Sequence, residues 1–166
     1  MTSNEQMKLK NITESKAPDG TYVAAVLSKA SKKKVKELMI NLGLTNRVSS
    51  DKMHITIIYS RKYVPELEAN NNLYPMSASP IGLEVFDMRN GKRALVLRIK
   101  SNPLTKRHND IMDTYGTTYD FPEYNPHITL SYDIGEFDPT SYEGDLPNIE
   151  LESEYVEDLV LDWTDK

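Results

Sequence analysis

The spacing of apolar positions changes several times along the chain, and each change marks an element. Val35, Leu38, Met39 and Leu42 recur at helical spacing, Gly43 follows as a stop, and Ser28 and Ser31 are both suited to cap the start. A second helical stripe, His108, Ile111, Met112 and Tyr115, ends before Gly116 and starts near Asn102 as cap, with Pro103 in the first turn. An apolar run of strand character precedes each helix, Tyr22 to Leu27 and Ala94 to Ile99. Ile81 to Met88 alternates as a strand and enters Arg89-Asn90-Gly91-Lys92, a hairpin signal leading into the second of these runs. Residues 61–80, with Pro65, Asn70, Asn71, Asn72, Pro75 and Pro80, read as a long surface loop. Residues 146–163 predict one further strand or two, with Ile149, Leu151, Val156, Leu159, Val160, Leu161 and Trp163 as the apolar positions.

A shift of 73 residues carries the first helical stripe onto the second, and the same shift carries Met53-His54-Ile55-Thr56-Ile57 onto Pro126-His127-Ile128-Thr129-Leu130. The chain is therefore a duplication of strand, helix, strand. It predicts an α+β fold of two pseudo-symmetric lobes, each a small, mainly antiparallel sheet with a helix packed behind it. The two repeated strands are expected to face each other across a central cleft. Residues 1–166 form a single bilobal domain in this reading, with repeat units at about 21–60 and 94–133 and residues 1–20 flexible or peripheral.

Composition narrows the chemistry. The absence of Cys removes disulfides, zinc–thiolate sites and thiol nucleophiles together. No apolar run approaches a membrane span and no apolar leader is evident, so a soluble, cytoplasmic protein without membrane contact is expected. The net charge of −5 is unevenly spread: residues 1–62 carry twelve Lys or Arg against five acids, whereas residues 133–166 carry one Lys against twelve acids. An acidic chain makes a poor general binder of long nucleic acid, whose affinity rests on many Lys/Arg–phosphate contacts. A small anionic ligand needs only a local basic pocket. Lys32, Lys33, Lys34 and Lys36 read as a solvated helix face.

Two of the three histidines share the repeated pentapeptide, a coincidence of roughly one in ten thousand by composition alone. In a strand, residues i and i+2 lie on one face, so each His-x-Thr sets an imidazole beside a hydroxyl while Ile55, Ile57, Ile128 and Leu130 turn to the core. Imidazole exchanges protons near neutral pH, and a pair of them can serve as general base and general acid. Phosphodiester cleavage fits such a pair, with Thr56 and Thr129 donating to the phosphate oxygens. No third ligand or His-x-x-x-His cluster points to a metal, and no nucleophile elbow points to a serine triad, so neither metal nor cofactor is expected. A purely structural role for one such strand is ordinary; for the duplicated pair it is not. His108 takes the place of Val35 in the repeat and reads as a boundary or core histidine.

The duplicated His-hydrophobic-Thr-hydrophobic pattern resembles the 2H phosphoesterases, over about Tyr22 to Trp163. The resemblance implies a metal-independent phosphodiesterase with His54, Thr56, His127 and Thr129 as its functional residues, acting on 2',3'-cyclic, 2',5' or cyclic oligonucleotide linkages. Within that family the chain looks most like the tailed-phage anti-CBASS phosphodiesterases, which implies a cyclic di- or trinucleotide substrate and action in the bacterial host cytoplasm. An RNA-processing phosphodiesterase and a non-catalytic nucleotide sponge remain as alternatives. Trp163, Tyr22, Tyr59, Tyr124 and Tyr132 are candidates for base stacking, each also readable as packing. Glu157 reads a base edge or is one more solvated acid. Arg98 and Lys100 alternate away from Leu97 and Ile99, so one meets a phosphate in the cleft or both guard a strand edge.

Overall fold

The computed structural model describes residues 18–161, so the expectations for the first seventeen residues and for Trp163 lie outside the described residues. Six strands and two long helices follow in the order β1 (Gly20–Leu27), α1 (Lys29–Asn41), β2 (His54–Ser60), β3 (Met76–Asp87), β4 (Arg93–Lys100), α2 (Asn102–Tyr115), β5 (His127–Ser131) and β6 (Ile149–Leu159). No helix among them is long and apolar enough to cross a membrane.

Local chemistry accounts for the boundaries. Ser28 caps α1 by accepting from the Ser31 amide at 3.2 Å, and α1 stops at Leu42 before Gly43, whose φ of 74° suits a residue without a side chain. The cap of α2 is Ser101, not the expected Asn102. Ser101 keeps an extended backbone and its hydroxyl accepts from the Leu104 amide, leaving Asn102 and Pro103 inside the first turn. The hairpin between β3 and β4 forms as expected, closed by a 2.8 Å bond from the Met88 amide to the Lys92 carbonyl.

All pairings are antiparallel, in the order β2-β1-β6-β3-β4-β5. The lobes are thus two halves of one strand order, joined where Met76–Ala78 of β3 pairs with Ile149–Leu151 of β6. The sequence pattern assigns those β3 residues to the loop; pairing with β6 extends the strand back to Met76, and Pro80 is tolerated where the β3–β4 register shifts. The two ends of the order, β2 and β5, touch each other, so the sheet curls round and brings the repeated strands together.

One face of the sheet carries the core. Val23, Ala25 and Leu27 of β1 and Leu95, Leu97 and Ile99 of β4 are fully or almost fully buried with Val35, Leu38 and Met39 of α1 and Leu104 and Ile111 of α2. Each such Leu or Ile contributes about 1.5–3 kcal/mol through burial. The ladders also reveal a slip in the repeat. The helices and motif strands coincide at a 73-residue offset, but the core residues of β1 and β4 coincide at 72, so Tyr22, Ala24 and Val26 correspond to Ala94, Val96 and Arg98 on the opposite face.

The segment between β2 and β3 is not simply a surface loop, because Val64 and Leu67 are buried in the core. It is fastened by Glu154 of β6, whose side chain is fully buried and whose carboxylate accepts from Arg107 of α2 at 2.8 Å, the Tyr74 hydroxyl at 2.8 Å and the Asn70 amide at 3.0 Å. One carboxylate therefore joins the loop, the second helix and the last strand.

Candidate active site

Both motif strands repeat one burial pattern, with the His and Thr half-buried on the face away from the core and the residue between them fully buried. Each imidazole is held in the same way. His54 Nδ1 lies 2.7 Å from the Lys52 carbonyl and His127 Nδ1 lies 3.0 Å from the Asn125 carbonyl, two residues back in each copy. A carbonyl can only accept, so both rings carry the proton on Nδ1 and leave Nε2 free.

Each motif strand also contains a bulge at the residue after its Thr. Opposite β1, Thr56 and Ile58 face successive residues and Ile57 is extra; opposite β4, Thr129 and Ser131 do so and Leu130 is extra. The carbonyls at the two bulges are satisfied from the other lobe. His108 Nδ1 of α2 donates to the Ile57 carbonyl at 2.7 Å, and the Val48 amide donates to the Leu130 carbonyl at 2.9 Å. Tyr124 adds a third link, donating from its hydroxyl to the Thr56 carbonyl at 2.7 Å while its ring stacks on His108 with centroids 4.2 Å apart and planes 5° apart. The two active strands are thereby locked in register by bonds made at their own bulges.

His108 is thus a core histidine, as its place on the helix stripe implies, and burial pushes its pKa below the ordinary value. Replacing it by Ala strands the Ile57 carbonyl and is expected to lower stability by about 1–3 kcal/mol at pH 7. Because the folded-state pKa is depressed, the wild type should lose stability as pH falls below about 6.5, while His108→Ala should show a shallower fall. Denaturant midpoints from pH 7.5 to 5 would check both, and parallel curves would rule out this role.

The chemistry around the two motifs differs, and the 72-residue correspondence explains why. In the first lobe Tyr22 lies on the face of Thr56, and their hydroxyls are 2.8 Å apart. Burial raises the phenol well above its ordinary pKa, so Tyr22 is a neutral hydrogen-bonding group. In the second lobe the place of Tyr22 is taken by Ala94, and the place of Val26 by Arg98, directly across the ladder from His127. Arg98 bonds the Asn125 side chain at 3.1 Å and Glu84 at 3.5 Å, which holds its guanidinium on the side of His127.

The remaining residues singled out from the sequence fall as follows. Tyr132 is half-exposed and lines a hollow of about 520 Å³ beside His54, together with Tyr155, Arg47 and Lys52. Glu157 pairs across from Tyr22 and is exposed on the same face; Tyr59 lies across from Tyr22 on its other side, their rings edge to face at 6.2 Å. Tyr124 has its hydroxyl and one ring face committed to Thr56 and His108, so its surroundings make it a strut behind the motif rather than a free stacking surface. The structure adds residues that the sequence did not single out. Tyr155 joins Tyr22 and Glu157 on one face, a placement that the alternation of β6 foreshadows. Phe86 meets His127 edge-on at 5.6 Å, and Arg47 reaches the site from a loop with no periodic signal.

The curled antiparallel sheet presents two His-x-Thr strands with matched imidazole anchors, the arrangement that the resemblance to the 2H phosphoesterases leads one to expect. The match to the Anti-CBASS protein Acb1 family extends over residues 19–166, and the chain belongs to that family. It is 37% identical over 161 residues to the Anti-CBASS protein Acb1 of Acinetobacter phage Ac42, covering 95% of this chain and 99% of that one. It is 40% identical over 147 residues to the protein of the same name from Enterobacteria phage T4, covering 88% and 92%. Among solved structures, that of TT0787 from Thermus thermophilus superposes with a TM-score of 0.50 at 15% identity over 82% of each chain, a likeness of fold.

Proposed function

We propose that the protein hydrolyses the phosphodiester bonds of cyclic di- or trinucleotide second messengers, and so disables bacterial cyclic-nucleotide antiphage signalling from within the host cytoplasm. The observation that carries this reading is the matched anchoring of His54 and His127, which leaves two Nε2 atoms available on repeated strands. One imidazole takes the proton of the attacking hydroxyl or water as its oxygen bonds to phosphorus. The other, which enters the step with a second proton on Nε2 besides the one its Nδ1 donates to the carbonyl, gives that second proton to the ribose oxygen that leaves, so one proton is taken up and one released across the step. Thr56 and Thr129 donate to the non-bridging oxygens, and Arg98 offsets the charge that builds there. The Tyr22 hydroxyl lies 2.8 Å from Thr56 Oγ1, and with Tyr22 as the donor the threonine's own proton is left for the phosphate. Tyr22 and Tyr132 supply ring faces for a base, and Glu157 an acceptor for its edge.

Incubation with cyclic di- and trinucleotides, 2',3'-cyclic mononucleotides and 2',5'-linked dinucleotides, with and without a chelator, tests the reading. Cleavage of the cyclic oligonucleotides, undiminished by chelator, is the expected result. Preference for the 2',5' or 2',3'-cyclic substrates would make the protein an RNA-processing enzyme, and tight binding without product would make it a sponge. Thr56→Val and Thr129→Val keep the β-branched shape without the donor. Each is expected to lower turnover by roughly 10- to 10³-fold with little change in thermal midpoint; full activity in both would assign the hydroxyls a structural role only.

A further inference from the structure

We propose that the hollow beside His127 is a second base subsite, which holds the nucleobase on the far side of the scissile phosphate from the one bound near Tyr22. The proposal rests on the cyclic oligonucleotide reading above. The hollow has a volume of about 590 Å³, within the range of small-molecule sites, and opens next to the imidazole. Its walls are Phe86 and the Tyr119–Phe121 pair, whose rings meet at 5.9 Å and 66°. Phe121 is 68% exposed and Phe86 38% exposed. A phenylalanine has no polar group to hold it at a surface, so two such rings beside a hollow offer a face for a flat apolar partner.

Charge identifies that partner as a base rather than a phosphate. The hollow beside His54 includes Arg47 and Lys52 against the single acid Asp51, whereas the one beside His127 is edged by Asp87 and Glu123 and has no Lys or Arg among the described residues of its lining. Two carboxylates repel a phosphate but accept hydrogen bonds from an exocyclic amino group. Arg98 lies across from His127 itself, where the phosphate belongs. A phosphodiester carries a nucleoside on each side, and a cyclic dinucleotide fixes its two bases at opposite ends of a closed ring. Binding the second base therefore costs little further ordering once the phosphate is seated. The subsite favours adenine, guanine or cytosine over uracil, which lacks the amino group.

Phe121 is exposed, so its truncation leaves the fold standing, and affinity is best read in a His54→Ala background where the ligand stays intact. Calorimetry with 3',3'-cyclic di-AMP and with an analogue in which one adenine is missing separates the two base contacts. Phe121→Ala is expected to weaken cyclic di-AMP by roughly 5- to 100-fold, the scale of one lost base–aromatic stack, and the one-base analogue far less. Phe121→Tyr should restore affinity. Equal affinity of Phe121→Ala and its parent for cyclic di-AMP would overturn the subsite. Turnover is read separately with His54 intact: loss of affinity in Phe121→Ala without any cleavage by the wild type would uphold the subsite and overturn the phosphodiesterase reading.

Discussion

His54→Ala and His127→Ala are each expected to lower turnover by about 10²- to 10⁴-fold, and the double variant by little more than either alone. In the proposed displacement the two imidazoles move one proton each, so once one is gone the other has no partner step to complete. Their equal anchoring by the Lys52 and Asn125 carbonyls gives no reason for one replacement to be milder. Affinity should respond differently. In the proposed binding mode, stacking and phosphate contacts lie outside the two rings, so the double variant is expected to retain cyclic nucleotide and to act as a sponge. Turnover and calorimetric affinity for the wild type, both single variants and the double variant check this. An active double variant, or effects that multiply, would show that the histidines are not paired in one reaction.

The second large effect is on stability. Glu154→Ala is expected to destabilise the protein by about 3–5 kcal/mol, because it leaves the Arg107 guanidinium, whose side chain is 11% exposed, without its counter-charge. It also strands the Tyr74 hydroxyl and the Asn70 amide. At about 2–4 °C per kcal/mol for a chain of this size, the thermal midpoint should fall by roughly 6–20 °C. Glu154→Gln, which keeps the shape and some acceptor capacity, should fall less. A scanning-calorimetry midpoint for Glu154→Ala within about 2 °C of the wild type, less than a single kcal/mol would shift it, would show the cluster to be energetically neutral. None of these atoms belongs to the active strands, so kcat of the folded fraction should stay close to that of the wild type.

The duplication was legible because it is written in side-chain period. His54 and Thr56, or His127 and Thr129, have to alternate with buried residues for the strands to work at all, and Val35 and His108 occupy equivalent places on two helix stripes. Features that depend on pairing between distant segments were not legible. The slip that sets Arg98 across from His127 is a matter of ladder register, invisible in a sequence whose helices and motifs keep one constant shift. Met76–Ala78 reads as loop because prolines flank it, and it becomes strand only through β6. Asn102 stands ahead of Ser101 as the expected cap because the Asn-Pro pair is itself a start signal, although the shift that carries Ser28 forward lands on Ser101. Tyr124 shows the limit for single aromatics: nothing local distinguishes a ring that stacks on a ligand from one that braces a strand from behind.

The position of β6 ties the assembly of the sheet to a late-emerging segment of the chain. This last strand pairs with β1 on one side and β3 on the other, yet it leaves the ribosome about 120 residues after β1 ends. At about 5–20 residues per second, the first repeat waits several seconds with one edge of β1 open and the Met76–Ala78 segment without a neighbour. Neither repeat is self-sufficient, so a chain cut short before Ile149 retains both histidine motifs but has no strand to hold the halves together. The sheet that brings the two motif strands together is continuous only once β6 docks between β1 and β3.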